Sequence, residues 1–181
     1  MFQKREMRLS GSGGQGVILA AIVFADAAIE DGLNAIQTQS YGPEARGGAS
    51  KAEVIINDGE INYPKVIKNN LLLSLTQKSL DKYIGSLDED GILIVDQDVE
   101  VPADVKAKKV YKLPIIATAA EKVGIPMVAN IVSIGAIYEI MCKDIIKVET
   151  IKNSIAQRVP KATIEKNMQA FEEGVNLVRG Y

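Results

Sequence analysis

The sequence predicts an α/β protein: a Rossmann-like, largely parallel sheet with helices on both faces and a helical C-terminal third. Three observations predict it. Short apolar runs alternate with amphipathic segments through the first two thirds of the chain. Two of those runs, LLLSL and GILIVD, are apolar almost throughout, as strands covered on both faces are. From residue 130 onward the pattern is helical only.

The elements follow in order. EMRLSG reads as a short first strand, and Gln15 to about Asp31 as a helix. Its apolar residues Val17, Ile18, Ala21, Ile22, Ala25 and Ile29 recur at three- and four-residue spacing, as one buried helical face requires. Gly32 then supplies a residue free to take positive φ at the helix end. LNAIQTQSY and KAEVIIND are the second and third strands, with NDGE a turn after the third. LLLSL and GILIVD flank the helix KSLDKYIGSL; Thr76 and Gln77 stand at a strand's carboxyl end, where α/β sites gather, and where that helix also needs a cap. KKVYKLP is a further strand, with VKAKK a solvated approach to it. IIATAAEKVG, NIVSIGAIYEIM, ETIKNSIAQRV and TIEKNMQAFEEGVNLV are helices. Ala129, Ser133 and Ala136, with Gly135 beside them, make a small-residue face suited to close helix packing.

Composition narrows the chemistry. At 181 residues the chain fits one domain, 1–181, large enough to bury a core. It opens on a charged segment rather than a signal peptide, and no run is long enough to span a membrane, so the cytoplasm is expected. A formal net charge of −2 without a basic stripe speaks against a nucleic-acid partner. There is no His, which removes the commonest general base and metal ligand. One Cys, Cys142, holds neither a disulfide, a zinc site nor an iron–sulfur cluster, and an inert buried thiol is its expected state. No catalytic residue and no metal ligand is assigned.

GSGGQG places Gly11, Gly13 and Gly16 in G-x-G-x-x-G spacing between a strand and a helix. In that motif the first glycine permits the tight turn and the second admits a phosphate. The third lets helix and strand pack closely, and the helix N-terminus attracts an anion. The bland reading is that the glycines serve packing alone. A nicotinamide dinucleotide is disfavoured, because the second strand ends in Thr38, Gln39 and Ser40 where an acid should hold the ribose. A nucleotide P-loop is excluded, since no Lys-Ser/Thr pair follows the glycines. A second loop, SYGPEARGG, joins the second and third strands and should leave the sheet beside the first. Arg46 can clamp a carboxylate or phosphate, Glu44 can orient it, and Gly47–Gly48 admit a close neighbour. An ion-paired turn packed by Tyr41 and Pro43 is the alternative.

Taken together, GSGGQGVILA, QTQSYGPEARGGASKAEVIIND, NYPKV and GILIVD resemble the gamma subunit of 2-oxoacid:ferredoxin oxidoreductases. The similarity continues through VAN at 128–130, and the 2-oxoglutarate type is nearest. That resemblance implies oxidative decarboxylation of a 2-oxoacid with coenzyme A to an acyl-CoA and CO2, with electrons passed to ferredoxin. It implies coenzyme A at a shared site, thiamine diphosphate and iron–sulfur clusters on sister subunits, and partners of alpha, beta and delta type. The isolated chain is then expected to be inactive. Gly11, Gly13, Gly14, Gln15 and Gly16 would meet the CoA pyrophosphate or shape its pocket. Tyr41, Gly42, Glu44, Arg46, Gly47 and Gly48 would face the CoA path or the catalytic sister subunit. Asn130 is a further ligand contact on the family pattern, and a helix N-cap on position alone. The rival readings are an indolepyruvate or pyruvate enzyme subunit, a stand-alone nucleotide-binding module, and a purely structural subunit.

Overall fold

A computed structural model describes residues 2–40 and 48–181. Six strands form one sheet among these residues: β1 (Arg5–Ser12), β2 (Asn34–Gln39), β3 (Ala49–Asn57), β4 (Asn69–Ser74), β5 (Leu87–Asp96) and β6 (Lys109–Leu113). Their order across the sheet is β2-β3-β1-β4-β5-β6. β1, β4, β5 and β6 run parallel. β3 is antiparallel to both β1 and β2, so it separates the first two strands of the chain. The expected neighbourhood of β1 and β2 is thereby corrected. Two reversals nevertheless restore the direction of β2 to that of β1, and both strands end at one rim.

Helix α1 (Val17–Glu30) lies on one face with Val23, Phe24, Ala27 and Ala28 fully buried against Met7, Leu9, Val54 and Ile56. Gly32 takes φ 85°, as its place after the helix demands. Helix α2 (Gln77–Tyr83) covers the other face, packing Leu80 and Tyr83 on Leu72, Leu93 and Val95. It is shorter than the pattern KSLDKYIGSL predicts, because a 3-10 turn at Ile84–Ser86 hands the chain to β5 already at Leu87. Thr76 does cap α2: its Oγ1 accepts the Ser79 N–H at 3.3 Å.

The remaining helices sit on the α1 face. They are α3 (Ile115–Ala117, continued by a π turn over Thr118–Val123), α4 (Ala129–Ile137), α5 (Val148–Arg158) and α6 (Ile164–Arg179). α4 is buried along its whole length. It runs parallel to α6, with Ile131 near Asn167 at the start, the Tyr138 ring tilted against that of Phe171, and Arg179 paired with Glu139 at the end. Their backbones touch at Gly135 and Gly174. A Cβ on Gly135 would strike the Phe171 carbonyl oxygen, and one on Gly174 the Val132 carbonyl oxygen. The small-residue face expected for tight packing serves that purpose.

Under β1 and β3 lies a buried charge cluster that periodicity could not reveal. Arg8 Nε donates to Glu53 Oε1 at 2.8 Å, and Arg8 Nη2 to the Val66 carbonyl at 2.8 Å. Lys51 Nζ meets the same carboxyl at 2.7 Å, and Thr38 Oγ1 donates to its other oxygen at 3.3 Å. Burial alone would raise the Glu53 pKa, but Lys51 and Arg8 together hold it below the usual carboxylate range.

Two outcomes follow from this packing. Gly174→Ala should lower unfolding free energy by about 1–3 kcal/mol in denaturant titration, because backbone cannot yield as a side chain can. A wild-type stability would refute the helix contact. A carboxyl with a depressed folded pKa stabilises the protein above its unfolded value, about 4.3 for Glu, and loses that contribution as pH falls through the folded pKa. Stability of the native chain should therefore fall more steeply below about pH 4.3 than that of Glu53→Gln. The variant should also start about 3 kcal/mol less stable at pH 7, with Arg8 left beside a neutral partner. Parallel curves for the two proteins would contradict the assignment.

Candidate functional site

Both glycine-bearing turns leave the sheet at the carboxyl rim of β1, since Ser12 pairs with Ala49 and Gly11 with Ser50. Gly48, Ala49 and Ser50 are the described end of the second loop. Tyr41, Gly42, Glu44, Arg46 and Gly47 lie outside the described residues.

The first turn is built by its own residues. The Ser12 N–H donates to Gln15 Oε1 at 2.7 Å, and the Gln15 N–H donates back to the Ser12 carbonyl at 3.2 Å. Gly14 and Gly16 take φ 89° and 75°, the left-handed region that disfavours any side chain. Gly11 does not make the turn: it is paired within β1, and a Cβ there would strike Gln15 Oε1. Its missing side chain makes room for the Gln15 carboxamide. Gln15 thus shapes the turn from within.

Gly16 does not serve strand–helix contact either. A Cβ on it would lie 2.5 Å from Asn130 Nδ2, which donates to the Gly16 carbonyl at 3.4 Å. Asn130 is not the cap of α4. Val128 holds that position, and Asn130 sits inside the first turn, 6% exposed, with Oδ1 accepting the Ile131 N–H at 2.9 Å. Positions 16 and 130 of the chain form one contact.

This contact joins two helix N-termini. Gly16 is the capping position of α1 and Val128 that of α4; neither helix has a side-chain cap or an acidic residue in its first turn. The first intrahelical bond of α1 runs from the Ala20 N–H to the Gly16 carbonyl at 3.1 Å, so the earlier N–H groups lack partners within the helix. The N-terminus of α6, entered through Thr163, reaches the same place because α6 lies parallel to α4. Two clefts meet over Gly14 and Gly16. One of about 220 Å³ is bounded by Ser12, Val17, Ile18 and Ser50. The other, about 360 Å³, is walled by Leu19, Ile125, Met127, Val159 and Pro160, with Asn130, Thr163 and Asn167 as its polar groups. Met127 is 85% exposed at its mouth.

The neighbouring strand ends close themselves. Thr76 caps α2, and Asp96 Oδ2 accepts the Ile116 N–H at 2.9 Å. The rim at β1 instead presents backbone donors and the positive ends of helix dipoles, flanked by apolar surface. Such a place suits a ligand with an anionic group and an apolar body. Among the described residues no acid–base or nucleophilic pair stands there. Cys142 is fully buried on the helical side, its thiol pushed up to about 12 by burial. Among the described residues no three His, Cys, Asp or Glu side chains gather as metal ligands, and no helix is long and apolar enough to cross a membrane.

Met127, Val159, Pro160, Thr163 and Asn167 escaped the sequence reading. Thr163 before an amphipathic helix is a legible start signal, but nothing local says that this start meets Gly16.

A mutant cycle tests the central contact. Gly14→Ala, with nothing within 4 Å of its Cβ, should lose about 1–2 kcal/mol through the backbone alone. Gly16→Ala should lose more, and the excess should vanish when Asn130→Ala is added. Equal losses at Gly14 and Gly16, measured by urea unfolding, would exclude the contact.

The family described as pyruvate ferredoxin/flavodoxin oxidoreductase matches residues 6–177. The 2-oxoglutarate synthase subunit KorC of Methanothermobacter thermautotrophicus is 47% identical over 182 residues, covering 97% of this chain and 95% of that one. Its counterpart from Methanocaldococcus jannaschii is 44% identical over 180 residues, at the same coverage. The crystal structure of a keto/oxoacid ferredoxin oxidoreductase gamma subunit from Geobacter sulfurreducens superposes with a TM-score of 0.86 at 40% identity. That match covers 99% of this chain and 98% of the other.

Proposed function

This chain belongs to the pyruvate ferredoxin/flavodoxin oxidoreductase family, and from that premise we propose that it is the gamma subunit of a 2-oxoglutarate:ferredoxin oxidoreductase. The observation that carries the reading is identity of 44–47% along nearly the whole chain to subunits named for 2-oxoglutarate synthase. The enzyme converts 2-oxoglutarate and coenzyme A to succinyl-CoA and CO2, passing electrons to ferredoxin. Coenzyme A, thiamine diphosphate and iron–sulfur clusters act at the level of the assembled complex.

Within that complex this chain holds the CoA side. The pyrophosphate lies over Gly13, Gly14 and Gly16 at the start of α1, with the apolar cleft beside Met127 and Pro160 available to the rest of the molecule. Gln15 and Asn130 act one layer beneath, holding the turn and the helix start. The loop carrying Tyr41, Gly42, Glu44, Arg46, Gly47 and Gly48 completes the CoA path or meets the catalytic sister subunit.

Thiamine diphosphate and the clusters belong to sister subunits of alpha, beta and delta type. A chain with one buried thiol offers no ligand set for a cluster. Thiamine diphosphate supplies the carbanion chemistry and the clusters carry the electrons. This subunit binds and orients.

Steady-state kinetics of the assembled enzyme test the assignment. Gly14→Asp sets a carboxylate where the pyrophosphate would lie and should raise KM for CoA roughly tenfold or more. kcat and KM for 2-oxoglutarate should stay unchanged. Arg46→Ala should act the same way if its loop faces CoA, whereas failed assembly would make the loop an interface. An unaltered KM for CoA in Gly14→Asp would end the glycine-turn reading.

A further inference from the structure

The apolar cleft beside the glycine turn holds one polar atom that its own walls leave unanswered. Three polar side chains line that cleft: Asn130, Thr163 and Asn167. Asn130 uses both ends of its carboxamide, Nδ2 on the Gly16 carbonyl and Oδ1 on the Ile131 N–H. Thr163 Oγ1 donates to the Pro160 carbonyl at 2.9 Å. Asn167 Nδ2 donates to the Thr163 carbonyl at 2.8 Å and to Thr163 Oγ1 at 3.2 Å. Both of those oxygens can only accept, because the hydroxyl proton is already engaged, so the carboxamide is held one way round. Asn167 Oδ1 is left over.

Asn167 is 4% exposed, and among the described residues no group donates to that oxygen. A carbonyl oxygen so placed wants an N–H or O–H donor. The surrounding walls are aliphatic: Leu19, Ile125, Ile131, Val159 and Pro160, with the Met127 thioether at the mouth. A flat group with two apolar faces and a donor on one edge suits such a cleft.

We propose that the cleft takes the adenine ring of coenzyme A, with Asn167 Oδ1 accepting from the 6-amino group and Met127 lying against the ring. The proposal rests on the CoA reading above and adds which end of the molecule enters the cleft. Gly14 and Gly16 border both this cleft and the one over the turn assigned to the pyrophosphate. In CoA a single ribose separates pyrophosphate from adenine. The pantetheine arm is the competing occupant, but its thiol has to meet a thiamine cofactor outside this chain. The cleft instead ends on Asn130, Ile131 and Asn167, within α4 and α6 of this chain. Asn167 thereby sets specificity, since a base without that donor leaves a buried acceptor unpaired.

Kinetics of the assembled enzyme test this with two thiol substrates, CoA and its analogue carrying unsubstituted purine in place of adenine. The wild-type KM for the analogue should lie about tenfold above that for CoA. Asn167→Leu keeps an apolar wall but removes the acceptor, and should bring the two KM values together. A merely structural role for Asn167 would raise both values alike and preserve their ratio. Location is read separately on the unmodified complex. Light-activated 8-azido-CoA should label a peptide of this chain that carries Met127 or Pro160. Equal wild-type KM values, a ratio that persists in Asn167→Leu, or labelling confined to other peptides would overturn the adenine site. Should Gly14→Asp still raise KM for CoA in that event, the pyrophosphate reading survives. An unaltered KM in Gly14→Asp, with discrimination and labelling intact, would instead remove the glycine turn and leave the adenine cleft standing.

Discussion

The rim at β1 depends on two helices touching backbone to backbone. Gly135 and Gly174 let α4 and α6 approach until, at these two points, the glycine of one helix lies against main-chain carbonyl and amide groups of the other. Helices that close have little freedom to slide, so the contact fixes their register. Fixing it in the parallel sense brings both N-termini to one end, and Asn130 then ties that end to Gly16 and the start of α1. A bulkier residue at either crossing point would spread the helices and part the walls of the cleft.

Among the described residues, the positive character of the resulting concave surface comes from peptide dipoles, not from titrating side chains. Of the described carboxylates, Asp96 is engaged at the start of α3, and Glu53 between Arg8 and Lys51 beneath the sheet. With no His in the chain, backbone donors can hold an anion with the same strength across the physiological pH range. That division of labour suits the CoA-positioning role proposed for this subunit, in which cofactors elsewhere would carry out the reaction.

The buried Arg8–Glu53 cluster serves the same rim from the other face. Arg8 reaches the Val66 carbonyl, pinning the irregular segment after β3, and Tyr83 donates to the Ala49 carbonyl where the second loop rejoins the sheet. Charge in the interior is expensive unless paired. Here the pairing spans β1, β3 and the crossing segment, so it specifies their mutual placement as well as satisfying Glu53.

Strand and helix positions, the left-handed glycine after α1, the cap at Thr76 and the tight helix face at Gly135 were legible in the sequence, because each is set by residues a few positions apart. So was the family, through the long SYGPEARGG string and its flanks. The insertion of β3 between β1 and β2 was not, since apolar alternation is the same whichever neighbour a strand takes. Nor were the true tasks of Gly11 and Gly16: local spacing shows that a side chain is absent, but only the folded chain shows whose atoms fill the space, Gln15 in one case and Asn130 in the other. Sequence determines what each segment can form. Packing of segments more than a hundred residues apart decides which groups meet, because burial rewards any complementary surface without regard to distance along the chain.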